Sequence, residues 1–344
     1  MSTSAQFLSP SEAAARLGVS AKALRLYERR GLIKPIRTAA GWRAYGPAEM
    51  ARAAEIAALR ALGFSLAQVE RVLRGDPQGL EPALAAHQAA LEGRIRQLAD
   101  TVLMVGALRT KIARGSVPTV DEIAQLARPQ SDAGTAFDLP WPWGGERFEL
   151  NEIRPVNYIV GPLGSGKTRL ARAIAENLPG AEFIGLDRSA DGGAKAQARM
   201  AADPALRSRV DQTLTWLIDD GAETSPALVA LVVALASEAP ATLVVDMVEQ
   251  GLDQATQEAL IAHLRQRGPE APSLFLLTRS SAILDLAAVG HDEAIILCPA
   301  NHSPPTRVAP NAGAPGYEAV ATCLASPEVR ARTAGLVAMR PQVA

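Results

Sequence analysis

Apolar positions in this chain follow a helical period near the start, a heptad-like period in the middle and strand-like runs toward the end. Residues 9–17, "SPSEAAARL", predict a short helix: Ser9 is placed as N-cap, Pro10 suits the first turn, and Glu12 completes a capping box. Gly18 stops it. Ser20 caps a second predicted helix, "AKALRLYERRG", which Gly31 ends. Two helices joined by a tight Gly-containing turn have helix-turn-helix spacing. The following "LIKPIRTAAGWRAYG" predicts two short β pieces around a turn, a hairpin wing. Two further helices start at Pro47 and Ser65. From Glu81 to Arg114 one long helical pattern carries Leu84, Leu91, Ile95, Leu98, Val102, Val105 and Ile112, mostly in steps of three and four. That is a heptad seam, suited to a coiled-coil pairing or to packing on its own domain. Residues 128–147 mix Pro, Gly and small polar residues and read as a linker. Beyond Ile153, "VNYIV", "AEFIGL", "TLVVD", "SLFLLT" and "EAIILC" alternate with helical patterns, which predicts a mainly parallel sheet covered by helices. After Cys298 the chain is Pro- and Ala-rich, with a helix or two expected over 317–337.

Composition adds an asymmetry. The chain has 344 residues, 48% hydrophobic, with a net charge of −1. Residues 1–76 carry 12 Lys/Arg against 6 Asp/Glu, a net of +6, and the remainder carries 23 against 30, a net of −7. A basic module on an acidic body points to a polyanionic partner for the module. No signal peptide and no membrane span are expected. The two cysteines, Cys298 and Cys323, lack metal-ligand spacing and argue against a disulfide framework, which fits a reducing cytoplasm. His87, His263, His291 and His302 form no spaced ligand set and read as isolated surface histidines.

The N-terminal string resembles the DNA-binding module of the MerR family of transcription regulators. The matching residues are Ala14 with Leu17–Gly18–Val19, Leu24–Arg25, Tyr27–Glu28, Gly31–Leu32, Trp42–Arg43 with Tyr45, and Leu62 through Leu66. A recognition helix places its N-terminal side chains in the major groove, here Ser20, Lys22 and Arg25. Tyr27 is expected to donate its hydroxyl to a phosphate, and Arg43, with Tyr45 beside it, to meet the backbone from the wing. Arg25 could instead form a surface ion pair with Glu28. The resemblance implies an antiparallel homodimer through residues 81–114, double-stranded promoter DNA with a pseudo-palindromic element as partner, and an indirect effect on RNA polymerase through distortion of the promoter spacer.

Gly161-Pro-Leu-Gly-Ser-Gly166-Lys167-Thr168 matches G-x-x-x-x-G-K-[ST], after a strand-like run and before a helix. Its glycines turn backbone N–H groups toward phosphates. Gly161, Gly164, Ser165, Gly166, Lys167, Thr168 and Arg169 are the expected binders of ATP or ADP. Thr168 is expected to share Mg²⁺ with Asp246, at the end of the apolar strand "ATLVVD". Residues 153–298 also resemble the ABC-type ATPases: Gly251–Leu252–Asp253 falls where their D-loop lies, and "SLFLLTRS" resembles their switch strand. The departures are informative. Met247 stands where that family carries its catalytic glutamate, and a thioether cannot polarise water. Arg279 replaces the switch histidine, and no signature like LSGGQ is present. Glu249 is the nearest substitute carboxylate. Parts for binding a nucleotide are intact and parts for fast turnover are not, which predicts a sensor or a very slow hydrolase. Alternatively, Asp187, ending "AEFIGLD", could activate an acceptor hydroxyl in a small-molecule kinase.

The expected architecture is multidomain: an all-α winged helix-turn-helix module over 1–76, a coiled-coil dimerisation helix over 80–114, a linker over 115–150, an α/β P-loop NTPase domain over 151–300 and a C-terminal extension over 301–344.

Overall fold

A computed structural model describes residues 7–38, 41–76, 80–119, 135–236, 241–268, 271–326 and 328–329. The N-terminal module begins with α1 (Pro10–Leu17) and α2 (Ala21–Arg29). Ser9 and Glu12 form the capping box, and Gly18 ends α1 with a φ of 66°, a left-handed conformation in which glycine has no Cβ to clash. A two-stranded antiparallel hairpin follows, β1 (Ile36–Arg37) with β2 (Arg43–Ala44), then α3 (Pro47–Ala61) and α4 (Leu66–Leu73). Ala13, Leu24, Tyr27, Tyr45, Ile56, Phe64 and Val69 pack as one core.

Helix α5 spans Leu80–Ala113, close to the expected limits. Its apolar seam faces solvent: Leu84, Leu91, Ile95, Leu98, Val102, Val105 and Ile112 are all exposed. None of the described residues covers those seven side chains.

The C-terminal body is an α/β domain with a mainly parallel sheet. Its six strands run in the order β10–β9–β5–β8–β7–β6. They are β5 (Val156–Val160), β6 (Ala181–Ile184), β7 (Thr242–Val245), β8 (Ser273–Leu277), β9 (Glu293–Leu297) and β10 (Thr306–Val308). All adjacent pairs are parallel except β10–β9. The central strands are covered on both faces, which explains why they read as unbroken apolar runs. On one face Ile159, Val244, Phe275 and Ile296 meet α6 (Lys167–Asn177). The opposite face, with Tyr158, Leu243, Leu276 and Ile295, is covered by α7 (Ala194–Ala202), α8 (Pro204–Asp220), α9 (Pro226–Leu235) and α10 (Gln254–Leu264). A last helix, α11 (Tyr317–Cys323), lies within the stretch expected to be helical.

Two segment assignments change. The stretch read as a linker contains an antiparallel pair, β3 (Thr135–Asp138) and β4 (Arg147–Leu150), that buries Phe137, Leu139, Trp143 and Leu150 against α6. It is part of the α/β core; the earlier linker positions 120–134 lie outside the described residues. Residues 301–308 also join the domain, through β10 and through the turn at His302 and Ser303.

His263 is not a surface residue. Its ring lies 5.0 Å from the Trp216 indole, and burial pushes its pKa down to about 4. A histidine held neutral in the fold contributes stability that is complete above its unfolded pKa of about 6.5 and is lost as pH falls from there toward 4. Urea denaturation should show this as about 2 kcal/mol of stability lost between pH 7 and 5 that is absent in His263→Phe.

Candidate functional site

The phosphate loop leaves the C-terminal end of β5, where open α/β sheets present ligand sites. Two glycines are required by their surroundings. At Gly161 a Cβ would come within 2.4 Å of the Cys298 carbonyl oxygen. Gly166 has a φ of 91°, and a Cβ there would approach the Trp143 ring to 2.6 Å. Trp143 is held in turn by donating from Nε1 to the Ser303 carbonyl at 3.0 Å. His302 Nε2 lies 3.1 Å from the Gly164 carbonyl. The segment after residue 300 therefore braces the loop from outside.

Lys167 opens α6 and donates from Nζ to the carbonyls of Gly161 and Pro162 at 2.8 and 2.7 Å. Burial lowers its pKa from the ordinary lysine value. Thr168 donates from Oγ1 to Asp246 Oδ2 at 3.0 Å, so residues 78 positions apart meet between the start of α6 and the end of β7. Ser165 Oγ is buried with no hydrogen-bond partner among the described residues. A buried, unpartnered hydroxyl carries a desolvation cost that an incoming polar ligand can remove. The loop, the lysine and the Thr168–Asp246 pair together fit a phosphate chain and a hard cation.

Met247 is half-buried with a φ of 42°, an uncommon conformation for a residue with a side chain. Glu249 is 4% exposed, and its Oε1 accepts the Arg279 backbone N–H at 3.0 Å. Its carboxylate is thus directed to the loop after β8. Asp187 is exposed on a single 3₁₀ turn, Leu186–Ser189. The neighbouring Arg188 guanidinium donates to the carbonyls of Gly185, Asp246 and Met247, clamping the end of β7.

One neighbour of the loop was missed as a site residue. Trp141 is 69% exposed, and the guanidinium of Arg169 stands over its ring at 4.5 Å from the centroid. Placed by its sequence context in a linker, it instead presents an indole beside the phosphate loop. Its partner Trp143 does dock. A paired Trp spacing just upstream of a glycine loop is the signal, and only the fold distinguishes the buried ring from the open one.

In the N-terminal module the expected contact residues separate. Arg25 is exposed, and Glu28 is engaged by Arg43 at 2.5 Å and Arg37 at 3.5 Å. The alternative Arg25–Glu28 pairing is therefore not formed. Three expectations need correction. Tyr27 is 3% exposed and Tyr45 fully buried, so neither hydroxyl reaches outward. Both rings fill the module core because aromatic side chains bury large apolar area. Ser20 is 8% exposed and caps α2, accepting from the Ala23 N–H at 3.2 Å. Arg43 is on the hairpin as expected, with part of its charge committed to Glu28.

Comparison with known proteins agrees with this module. Residues 8–76 match the family model described as MerR HTH family regulatory protein. A Haemophilus influenzae protein named probable heavy metal-dependent transcriptional regulator is 38% identical over 99 residues, 27% of this chain and 77% of that protein. The HTH-type transcriptional regulator HmrR of Sinorhizobium medicae is 33% identical over 124 residues, 33% of this chain and 84% of its own length. Nodulation protein NolA of Bradyrhizobium diazoefficiens is 29% identical over a longer span of 228 residues, 60% of this chain and 93% of that protein. The chain belongs to the MerR family of transcriptional regulators. Among solved structures, a MerR-family regulator from Bacillus cereus is similar over 36% of this chain at 20% identity, TM-score 0.26. The ADP conformation of an ATP-binding cassette of an ABC transporter is similar over 59% at 14% identity, TM-score 0.36. Among the described residues no cluster of three or more His, Cys, Asp or Glu is arranged to hold a metal ion. None of the described helices is long and apolar enough to cross a membrane.

Proposed function

We propose that this chain is a promoter-binding regulator whose grip on DNA is set by ATP or ADP held in its α/β domain. The observation that carries the reading is the Thr168–Asp246 contact beside Lys167, in a chain whose N-terminal module belongs to a family of transcriptional regulators. Gly161, Gly164, Ser165 and Gly166 would cradle the phosphates, Lys167 would neutralise them, and Thr168 with Asp246 would hold Mg²⁺. Arg169 and Trp141 stand where they could engage the rest of the nucleotide. The bound cation would supply charge neutralisation. With Met247 directly after Asp246 and Glu249 Oε1 bonded to the Arg279 backbone N–H, the reading is of slow hydrolysis.

Lys22 and Arg25 would read base edges, with Arg43 on the backbone. Two copies would pair along α5, whose exposed apolar seam is unsuited to water and suited to a second helix. The dimer would bind a pseudo-palindromic element of double-stranded DNA.

A ligand shifts a conformational balance only through its differential affinity for the two states, and the coupling is reciprocal. Footprinting on the chain's own upstream DNA, without nucleotide and with ADP, ATP or a non-hydrolysable analogue, should give different occupancies. Equally, nucleotide affinity should change on adding that DNA. Identical nucleotide titrations with and without DNA would refute the coupling.

A further inference from the structure

The DNA-reading side of α2 is already engaged within the chain. Lys22 donates from Nζ to the carbonyl of Ser281, in the loop after β8. Arg29 pairs with Glu258 of α10 at 2.6 Å. Leu26 lines a cleft between the two domains together with Arg29, Asp220 and Glu258. Positions 22, 26 and 29 form one stripe along a helix, and Arg25 adjoins it. To reach base edges, that stripe must enter a major groove about 12 Å wide, which a helix with its side chains nearly fills. A protein domain within hydrogen-bonding distance of the same stripe and a duplex cannot occupy it together.

The docking extends beyond α2 and is charge-complementary. Arg30 donates to the Asp220 carbonyl at 2.8 Å. Asp220 ends α8 almost fully buried, paired with Arg60 at 2.5 Å and accepting the Leu66 N–H at 2.8 Å. Arg60 also lies over the Trp216 indole, whose Nε1 donates to the Gly63 carbonyl at 3.2 Å. Arg71 meets Asp219 at 3.7 Å. Four arginines of the basic module thus face three carboxylates of the acidic body, as they would face phosphates.

We propose that the α/β domain is an intramolecular competitor of duplex DNA: it docks on α2 through Ser281 and Glu258, and through Asp219 and Asp220 on the neighbouring helices, and must release before α2 can enter a groove. This rests on the reading of α2 as the DNA-contacting helix. The loop that holds Lys22 is also the loop tied to the nucleotide site. Arg279 N–H, two residues before Ser281, donates to Glu249, three residues beyond Asp246. Between them Ser280 donates from Oγ to Gln257 of α10 at 2.5 Å, one residue from Glu258. A shift at the end of β7 therefore has a short bonded route to both clasps on α2.

The test uses the full-length protein and a fluorescent duplex of the chain's own upstream DNA. Glu258→Gln with Asp219→Asn removes two docking charges, neither of them on a surface assigned to DNA or nucleotide. Glu146→Gln with Glu149→Gln makes the same charge change on exposed positions of the β3–β4 hairpin, as control. If docking hides a fraction of α2, apparent affinity rises as that fraction falls. Weakening two ion pairs should tighten DNA binding about five- to tenfold over the control. Equal affinity of the docking variant and the control, with Arg25→Ala still weakening binding, overturns the masking. Binding that survives Arg25→Ala undamaged overturns the assignment of α2 itself.

Discussion

Lys167→Ala should lower ATP affinity by about 100-fold in a calorimetric titration, the loss of one strong charge-assisted contact to phosphate at roughly 1.5–3 kcal/mol. The lysine is placed for it. Its ammonium is partly desolvated and held at the mouth of the loop by the carbonyls of Gly161 and Pro162. Phosphate oxygens can replace those two carbonyls as acceptors. Alanine at this position removes the charge and leaves α6 intact, since alanine is the best helix former. A thermal melt without nucleotide should therefore move little, while the stabilisation by added ATP disappears. Unchanged ATP affinity would show that the loop does not bind phosphate.

The second large effect belongs to Arg25. Arg25→Ala should weaken binding to the upstream duplex by about 100-fold, because a base-reading arginine is worth about 1–3 kcal/mol and a dimer would lose it in both half-sites. Salt separates the roles. Loss of a base contact reduces sequence discrimination and leaves the slope of log affinity against log salt nearly unchanged. A phosphate contact would reduce that slope by about one for each site lost. Arg25 is exposed because Glu28 is taken by Arg43 and Arg37. It borders the docked stripe without being clasped, so its removal should affect DNA with little effect on docking. Lys22 differs: its ammonium is shared with Ser281, and Lys22→Ala should remove a DNA contact and a docking contact together.

Local signals in the sequence were reliable where their physics is local. The capping box at Ser9 and Glu12, the helix stop at Gly18 and the phosphate loop before α6 depend on residues a few positions apart. The Thr168–Asp246 pairing was legible for another reason: an apolar run ending in a carboxylate marks the end of a buried parallel strand, and such strands align their C-terminal ends. The β3–β4 pair escaped because its strands are four residues each and Pro140, Pro142, Gly144 and Gly145 between them read as loop. Tyr27 and Tyr45 were assigned outward because a short helix or hairpin offers apolar and polar uses for the same ring, and only packing chooses.

By itself the sequence determined the helices of the module, the alternation of strands and helices from Ile153 to Cys298, the phosphate loop and the apolar seam of α5. All of these follow from periodicity and spacing within one segment. Only the tertiary structure decided that Glu249 turns toward Arg279, that His302 and Ser303 brace the loop, and that Lys22 and Arg29 are held by Ser281 and Glu258. Those last contacts join positions 259 and 229 residues apart. No local pattern encodes such a meeting, because complementary charge and shape between distant surfaces arise only after each surface has formed.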